Sequence, residues 1–257
     1  MPISLITCHF NKIYNFGDSI SDTGNLIREK PIGAATAEAR LPYGETFFKH
    51  ATGRCSNGRL MIDFIAHASG LPFLNPPYLN KDANFTHAVN FAVAGATALP
   101  AKVLAKKNIA DPVTNSSLPL QLDWMSKHFN STCIIGRDCS EKEKTSLFLL
   151  GEIGVNDYNY PSIERKTIQE IENLVPEVVA AIISGVKRVI NAYGAVRVVV
   201  PSIFPNGCFP LYLTLYQTND SSAYDKHGYV LERIQQLGSL PQNKATRSPP
   251  RVENRVS

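Results

Sequence analysis

Apolar and polar positions alternate along the chain in a way that predicts short strands joined by turns and a few longer helices. Residues 13–16 (IYNF) predict a buried strand. Gly17 ends it, and the polar stretch DSISDTGN follows, with Ser19 at a strand–turn–helix junction. Asp18, Ser21, Asp22 and Thr23 are all residues that cap helices and hold turns. Residues 31–80 are irregular and punctuated by glycine and proline. Within them 61–74 (MIDFIAHASGLPFL) predicts one short amphipathic helix, with Ile62, Ile65 and Ala66 on one face, stopped by Gly70 and Pro72. In 87–98 the alternation of Val89, Phe91 and Val93 predicts a strand, closed by the small-residue turn Ala94-Gly95-Ala96. Residues 111–129 predict a capped helix, with Leu118, Leu122 and Met125 on one face and Trp124 in the core. The apolar run 146–150 (SLFLL) predicts a strand buried on both faces; it ends in GEIGVNDY, which carries Asn156. A 3.6-residue stripe over 164–193 predicts helix in one or two pieces, with Pro176 starting the second and Gly194 stopping it. Residues 197–203 form a further β-rich run. Strand, helix and strand in this order predict a right-handed βαβ unit and a parallel sheet. The aromatic stretch 212–216 admits two readings, the lining of a pocket or, by default, core packing.

Composition changes this picture little. The 257 residues are 44% hydrophobic and 19% charged, which suits one globular α/β domain, with or without a tail. The net charge of +4 comes without a basic run interleaved with aromatics, which argues against a nucleic-acid partner. No apolar run is long enough to span a bilayer. Residues 1–10 lack the basic start and small-residue cleavage site of a leader, so the expectation is a cytosolic protein or a chain that has lost its leader, and localisation stays open. The cysteine count, five, is odd. Cys133 and Cys139 can close a small ring, while Cys8, Cys55 and Cys208 have no assignable partner. Sequons at Asn84, Asn115, Asn130 and Asn219 lean slightly toward a secretory ancestry and a glycoprotein. No metal-ligand spacing occurs, and no cofactor is expected.

Three strand ends carry the chemistry. Ser19 admits three roles: an N-cap, part of a phosphate cradle, or a nucleophile. The flanking Asp18 and Asp22 argue against a phosphate. A nucleophile needs oxyanion donors and an oriented base. Gly95 offers a backbone N–H from a turn that lets a ligand approach, and Asn156 offers a side-chain amide. Ser19, Gly95 and Asn156 together supply a nucleophile and an oxyanion hole for acyl transfer.

At these residues the chain resembles a known family. FGDSISDTGN, VNFAVAGAT and GEIGVNDY are similar, in order and at sensible distances, to the first three sequence blocks of the plant GDSL esterase/lipases of the SGNH hydrolase superfamily. LPYGETFF, TGRCSNGRLMIDFIA, GLPFLNPPYL and PNGCFPLYLT resemble the same branch, in particular its acetylajmalan- and sinapine-esterase-like members. The resemblance covers about 13–228. It implies a flavodoxin-like three-layer α/β/α fold with a parallel sheet. It also implies Ser19 as nucleophile, Gly95 and Asn156 as oxyanion donors, a small-molecule ester as substrate, and a monomer. Ile20 stands where the family name has leucine, a position without chemical role.

One departure matters. The family's fourth block, D-x-x-H, completes the triad, and this sequence has none; its histidines are His9, His50, His67, His87, His128 and His227. Asp225-Lys-His227 has the wrong spacing and matches the earlier YDxxG element. There the family carries a cysteine that would pair with Cys208, and Tyr229 stands in its place. No catalytic Asp or His is identifiable. The expectation is therefore a partial SGNH domain over 13–228, incomplete at its C-terminal side, and a divergent, disordered tail over 229–257, as in a truncated or alternatively spliced product. Hydrolysis would be impaired. The alternatives are a catalytically dead ligand-binding pseudoenzyme and, more remotely, a flavodoxin-like phosphate binder.

Overall fold

A five-residue strand, β1 (Lys12–Phe16), lies inside a four-stranded sheet whose order is β2-β1-β3-β4. Its neighbours are β2 (Ala88–Asn90) and β3 (Ser146–Leu150), and β4 (Val198–Val199) forms the far edge beside β3. All three pairings are parallel, with Asn15 opposite Asn90 on one side and Leu149 on the other. The computed structural model describes residues 10–71, 75–110, 112–132, 144–205 and 209–223. Outside those residues lie Pro72, Cys8, Cys133, Cys139, Cys208, His9, Asp225, His227 and the 229–257 tail.

Parallel pairing needs crossovers, and helices supply them on both faces. Tyr14, Phe16, Phe148 and Leu150 face one side. There they pack with Leu118, Leu122 and Met125 of α3 (Leu118–Thr132) and Val178, Ile182 and Val189 of α6 (Val175–Tyr193). Ile13, Ala88, Leu147 and Leu149 face the other side, against Ile62 and Ala66 of α1 (Met61–Ala68). Successive strand residues point to opposite layers, so the architecture is three-layer α/β/α. Between α1 and α3 runs the short helix α2 (Ala101–Ala105). After β3 come α4 (Val155–Ile163) and α5 (Ile168–Glu172), and after β4 comes α7 (Pro210–Leu215). The irregular 40–60 region is braced by a buried ion pair, Arg54 Nε and Nη2 donating to Asp63 Oδ2 and Oδ1 at 2.9 and 2.8 Å.

The predicted strands at 13–16 and 146–150 form, and the helices predicted within 61–74 and 111–129 are found as Met61–Ala68 and Leu118–Thr132. The 164–193 stripe divides into α5 and α6, with Pro176 in the first turn of α6 and Gly194 closing it in the left-handed region at φ 66°. Four details differ. No helix begins after Ser19: Gly24 at φ 128° and the Asp22 carboxylate hold a series of turns that ends in a 3-10 turn, Leu26–Arg28. The second strand is only three residues long, although Phe91 and Val93 still donate to the Asn15 and Gly17 carbonyls at 2.7 and 3.1 Å. The 197–203 run yields only two strand residues, because Pro201 has no N–H to donate to the sheet. Helix α4 was not foreseen, since its sequence VNDYNYPSI is polar and contains Pro161. Within 212–216 Tyr212 is buried and stacks with the half-buried Tyr216, while Thr214 is exposed, so the core reading holds for Tyr212 alone.

Phe148 is fully buried and stacks on Tyr14 with ring centroids 5.0 Å apart. Phe148→Ala is expected to cost about 3–5 kcal/mol in urea unfolding; a loss under about 1 kcal/mol would contradict this packing.

Candidate active site

Beyond Phe16 the strands β2, β1 and β3 end together. Gly151 donates to the Phe16 carbonyl at 2.9 Å, Asp18 N donates to the Glu152 carbonyl at 3.1 Å, and Val93 N donates to the Gly17 carbonyl at 3.1 Å. Gly17 sits at φ 149°, where an added Cβ would lie 2.6 Å from the Glu152 carbonyl oxygen. Only glycine fits this junction. The buried Gln121 of α3 clamps the same residue, accepting from Gly17 N at 2.9 Å and donating to Gly17 O at 2.8 Å and Ser116 O at 2.9 Å.

Ser19 follows two residues later and is half-buried. Its hydroxyl caps nothing. The capping falls to its neighbours: Asp18 Oδ1 accepts from Ile20 N at 3.0 Å. Asp22 Oδ1 accepts from Gly24 N and Asn25 N at 2.7 and 2.6 Å, and its Oδ2 accepts from Leu26 N and Ala94 N at 3.0 and 2.9 Å. The Asp22–Ala94 bond ties the Ser19 loop directly to the turn that carries Gly95. Asn25 Nδ2 adds bonds to the Asn90 and Ala92 carbonyls, both at 2.8 Å, and Asn90 Nδ2 donates to Ser21 O at 2.7 Å. Among the described residues, neither the hydroxyl nor the N–H of Ser19 has a hydrogen-bond partner, and neither does the N–H of Gly95.

Gly95 lies at φ 82° in a turn closed by Ala96 N on the Val93 carbonyl at 3.0 Å. From the opposite side, α4 presents Asn156 and Tyr160 one helical turn apart on one face. Asn156 Nδ2 donates to Ala96 O at 2.9 Å, and Tyr160 OH donates to Gly95 O at 2.8 Å. An amide NH₂ has two hydrogens, so this contact fixes the Asn156 side chain and leaves it a second donor. Asp157 anchors the helix start, accepting from Ala98 N and Leu99 N at 2.8 and 3.0 Å. The structure thus brings the Ser19 loop, the Gly95 turn and Asn156 together at the carboxyl ends of the strands, where open α/β sheets bind ligands.

No described histidine has a contact with Ser19. His50 and His67 are exposed, the latter on α1. His87 and Asn11 meet at the amino end of the sheet. His128 is buried among Tyr14, Tyr78, Phe85, Phe91 and Phe129, and burial pushes it down to about 4. Cys55 is free, and burial and Glu38 hold its thiol protonated. Among the described residues no group of histidine, cysteine, aspartate and glutamate could hold a metal ion, and no helix is long and apolar enough to cross a membrane. Sequence reasoning missed Gln121, Asp157 and Tyr160, and read Asp22 only as a turn residue. The one available signal was the four-residue spacing of Asn156 and Tyr160.

Four buried carboxyls surround this junction. Burial pushes Asp22 up to about 6, against four N–H bonds that lower it. Burial pushes Glu152 and Asp157 up to about 7. Asp18 is raised well above the usual carboxylate range by burial and by the charges of Glu152 and Asp157, and its Oδ2 has no partner among the described residues. Folded values above unfolded ones mean that the folded chain holds these protons more tightly. The stability they contribute is full below about pH 4 and is lost as pH rises through 6 to 7. His128, lowered from 6.5, works in the opposite sense as pH falls toward 4. A neutral amide at position 18 keeps the bond to Ile20 N without the charge. Asp18→Asn is therefore expected to stabilise the chain at pH 7.5 and to give no such gain at pH 4. Equal effects at the two pH values would contradict the assignment.

Comparison with known proteins gives the family of the chain. The pattern of the GDSL-like lipase/acylhydrolase family matches residues 13–247. Acetylajmalan esterase 2 of Rauvolfia serpentina is 48% identical over 218 residues, which cover 84% of this chain and 59% of that protein. A GDSL esterase/lipase of Arabidopsis thaliana is 48% identical over 219 residues, 85% of this chain and 56% of its own length. Acetylajmalan esterase of Rauvolfia serpentina is 49% identical over 203 residues, 79% of this chain and 52% of its own length. The chain spans between half and three-fifths of the length of these relatives.

Proposed function

The chain belongs to the GDSL-like lipase/acylhydrolase family, and on that premise we propose that it is a serine hydrolase of carboxylic esters of small molecules, with Ser19 as nucleophile and Gly95 and Asn156 as oxyanion donors. One observation carries the reading. The Ser19 hydroxyl, the Ser19 N–H and the Gly95 N–H, all at one strand-end junction, have no partner among the described residues. The fixed amide of Asn156 stands on the same turn.

In this mechanism Ser19 Oγ bonds to the ester carbonyl carbon and passes its proton to a base. The oxyanion takes hydrogen bonds from Ser19 N, Gly95 N and Asn156 Nδ2. The C–O bond then breaks, the leaving alcohol takes a proton, and water hydrolyses the acyl-serine. The base is the weak link. The sequence has no D-x-x-H, and loss of a triad histidine costs ~10⁶ in turnover, leaving ~10³–10⁴ over water from the oxyanion hole and binding. The proposed activity of this chain is therefore slow acylation with feeble turnover. That absence also favours a second reading, a pseudoenzyme that binds esters without cleaving them.

With p-nitrophenyl acetate, nitrophenolate release is expected to be slow and to vanish in Ser19→Ala. Asn156→Ala should slow acylation by about 10²–10³-fold. Fast turnover that vanishes in Ser19→Ala would overturn the impaired base. Thermal stabilisation by an ester with no Ser19-dependent release would favour the pseudoenzyme.

A further inference from the structure

The Gly95 N–H belongs to the peptide between residues 94 and 95, and the peptides on either side of it are pinned. Asp22 Oδ2 holds Ala94 N at 2.9 Å, in the preceding peptide. The following peptide, between 95 and 96, is held at both ends: Tyr160 OH donates to Gly95 O at 2.8 Å, and Ala96 N donates to Val93 O at 3.0 Å. Asn156 takes the next carbonyl, Ala96 O. A glycine at φ 82° has no Cβ of its own to restrict rotation, so these outside bonds set the direction of its N–H. The Tyr160 hydroxyl also accepts from Val113 N at 3.2 Å, and the Val113 Cβ lies 3.2 Å from where a Gly95 Cβ would stand.

We infer that Tyr160 is a positioning residue for ester cleavage: its hydroxyl aims the Gly95 N–H at the oxyanion and docks the 112–117 segment against that turn. The inference rests on the serine-hydrolase reading above. Burial, together with the charges of Asp157 and Asp18, raises the Tyr160 phenol against the lowering effect of Val113 N, so it remains a protonated donor at neutral pH. The 112–117 segment is tied down elsewhere by Thr114 Oγ1 and Ser116 Oγ on the Glu29 carboxylate, and Leu118 N closes on Thr97 O at 2.9 Å. Tyr160 therefore supplies the bond that joins this braced segment to the oxyanion turn itself.

The test is pre-steady-state acylation by p-nitrophenyl acetate and by its thionoester analogue, in which sulfur replaces the carbonyl oxygen and oxyanion hydrogen bonds weaken. Tyr160→Phe removes one hydroxyl. It is expected to slow acylation by the oxoester ~10-fold at unchanged half-saturation and to shrink the oxoester-to-thionoester rate ratio by a similar factor, while a packing defect would slow both substrates alike. An unchanged ratio overturns the inference. Should Tyr160→Phe not fold, 3-fluorotyrosine at position 160 replaces it: a more acidic phenol should raise the ratio, and no change would overturn the role. Nitrophenolate release that is as fast in Ser19→Ala as in the intact chain would sink the esterase reading, and this inference with it. A Ser19-dependent burst with no ratio change would sink the Tyr160 role alone.

Discussion

The Asp22 carboxylate accepts four backbone N–H groups while fully buried, and the candidate site depends on that one constellation. Three of the donors shape the loop after Ser19; the fourth, Ala94 N, belongs to the neighbouring strand's turn. Charge-assisted bonds of this kind are stronger than neutral ones. An apolar residue there would leave four N–H groups unpaired in the interior, a desolvation cost of at least about 1 kcal/mol each. A single side chain thus settles both the path of one loop and its distance from another.

The layers were readable from periodicity because burial dictates it. LFLL at 147–150 is apolar throughout because helices cover both faces, and the stripe over 175–193 matches the single face that α6 buries. The site was readable only in part. Ser19, Gly95 and Asn156 each sit where a strand run stops, and a stop is a local signal. What binds them to one another is not local: Gln121 reaches Gly17 from a helix of unremarkable pattern, and Asp157 and Tyr160 lie in a segment whose polar composition concealed a helix. Propensity scores the backbone of VNDYNYPSI poorly, yet its Asn, Asp and Tyr side chains bond to the turn opposite, and tertiary bonds prevail over propensity.

Electrostatics adds a constraint of its own. Four carboxyls crowd the ends of three strands, and of these Asp22 and Asp157 have donors on both oxygens. Asp18 and Glu152 each keep one carboxyl oxygen without a partner among the described residues. Sites that hold a reactive group commonly retain such uncompensated neighbours, because an environment poised for one charge state costs stability in the other.

The bonds that assemble the junction join residues far apart in the chain: 72 positions separate Asp22 from Ala94, and 104 separate Gly17 from Gln121. During synthesis, at the usual pace of a ribosome, the first strand waits on the order of ten seconds for the glutamine that clamps its end. Until then Gly17 and the loop beyond it have no means of holding their shape, and a topology this non-local folds slowly. The hydroxyl at position 19 is thus made well before the residues that set it in place.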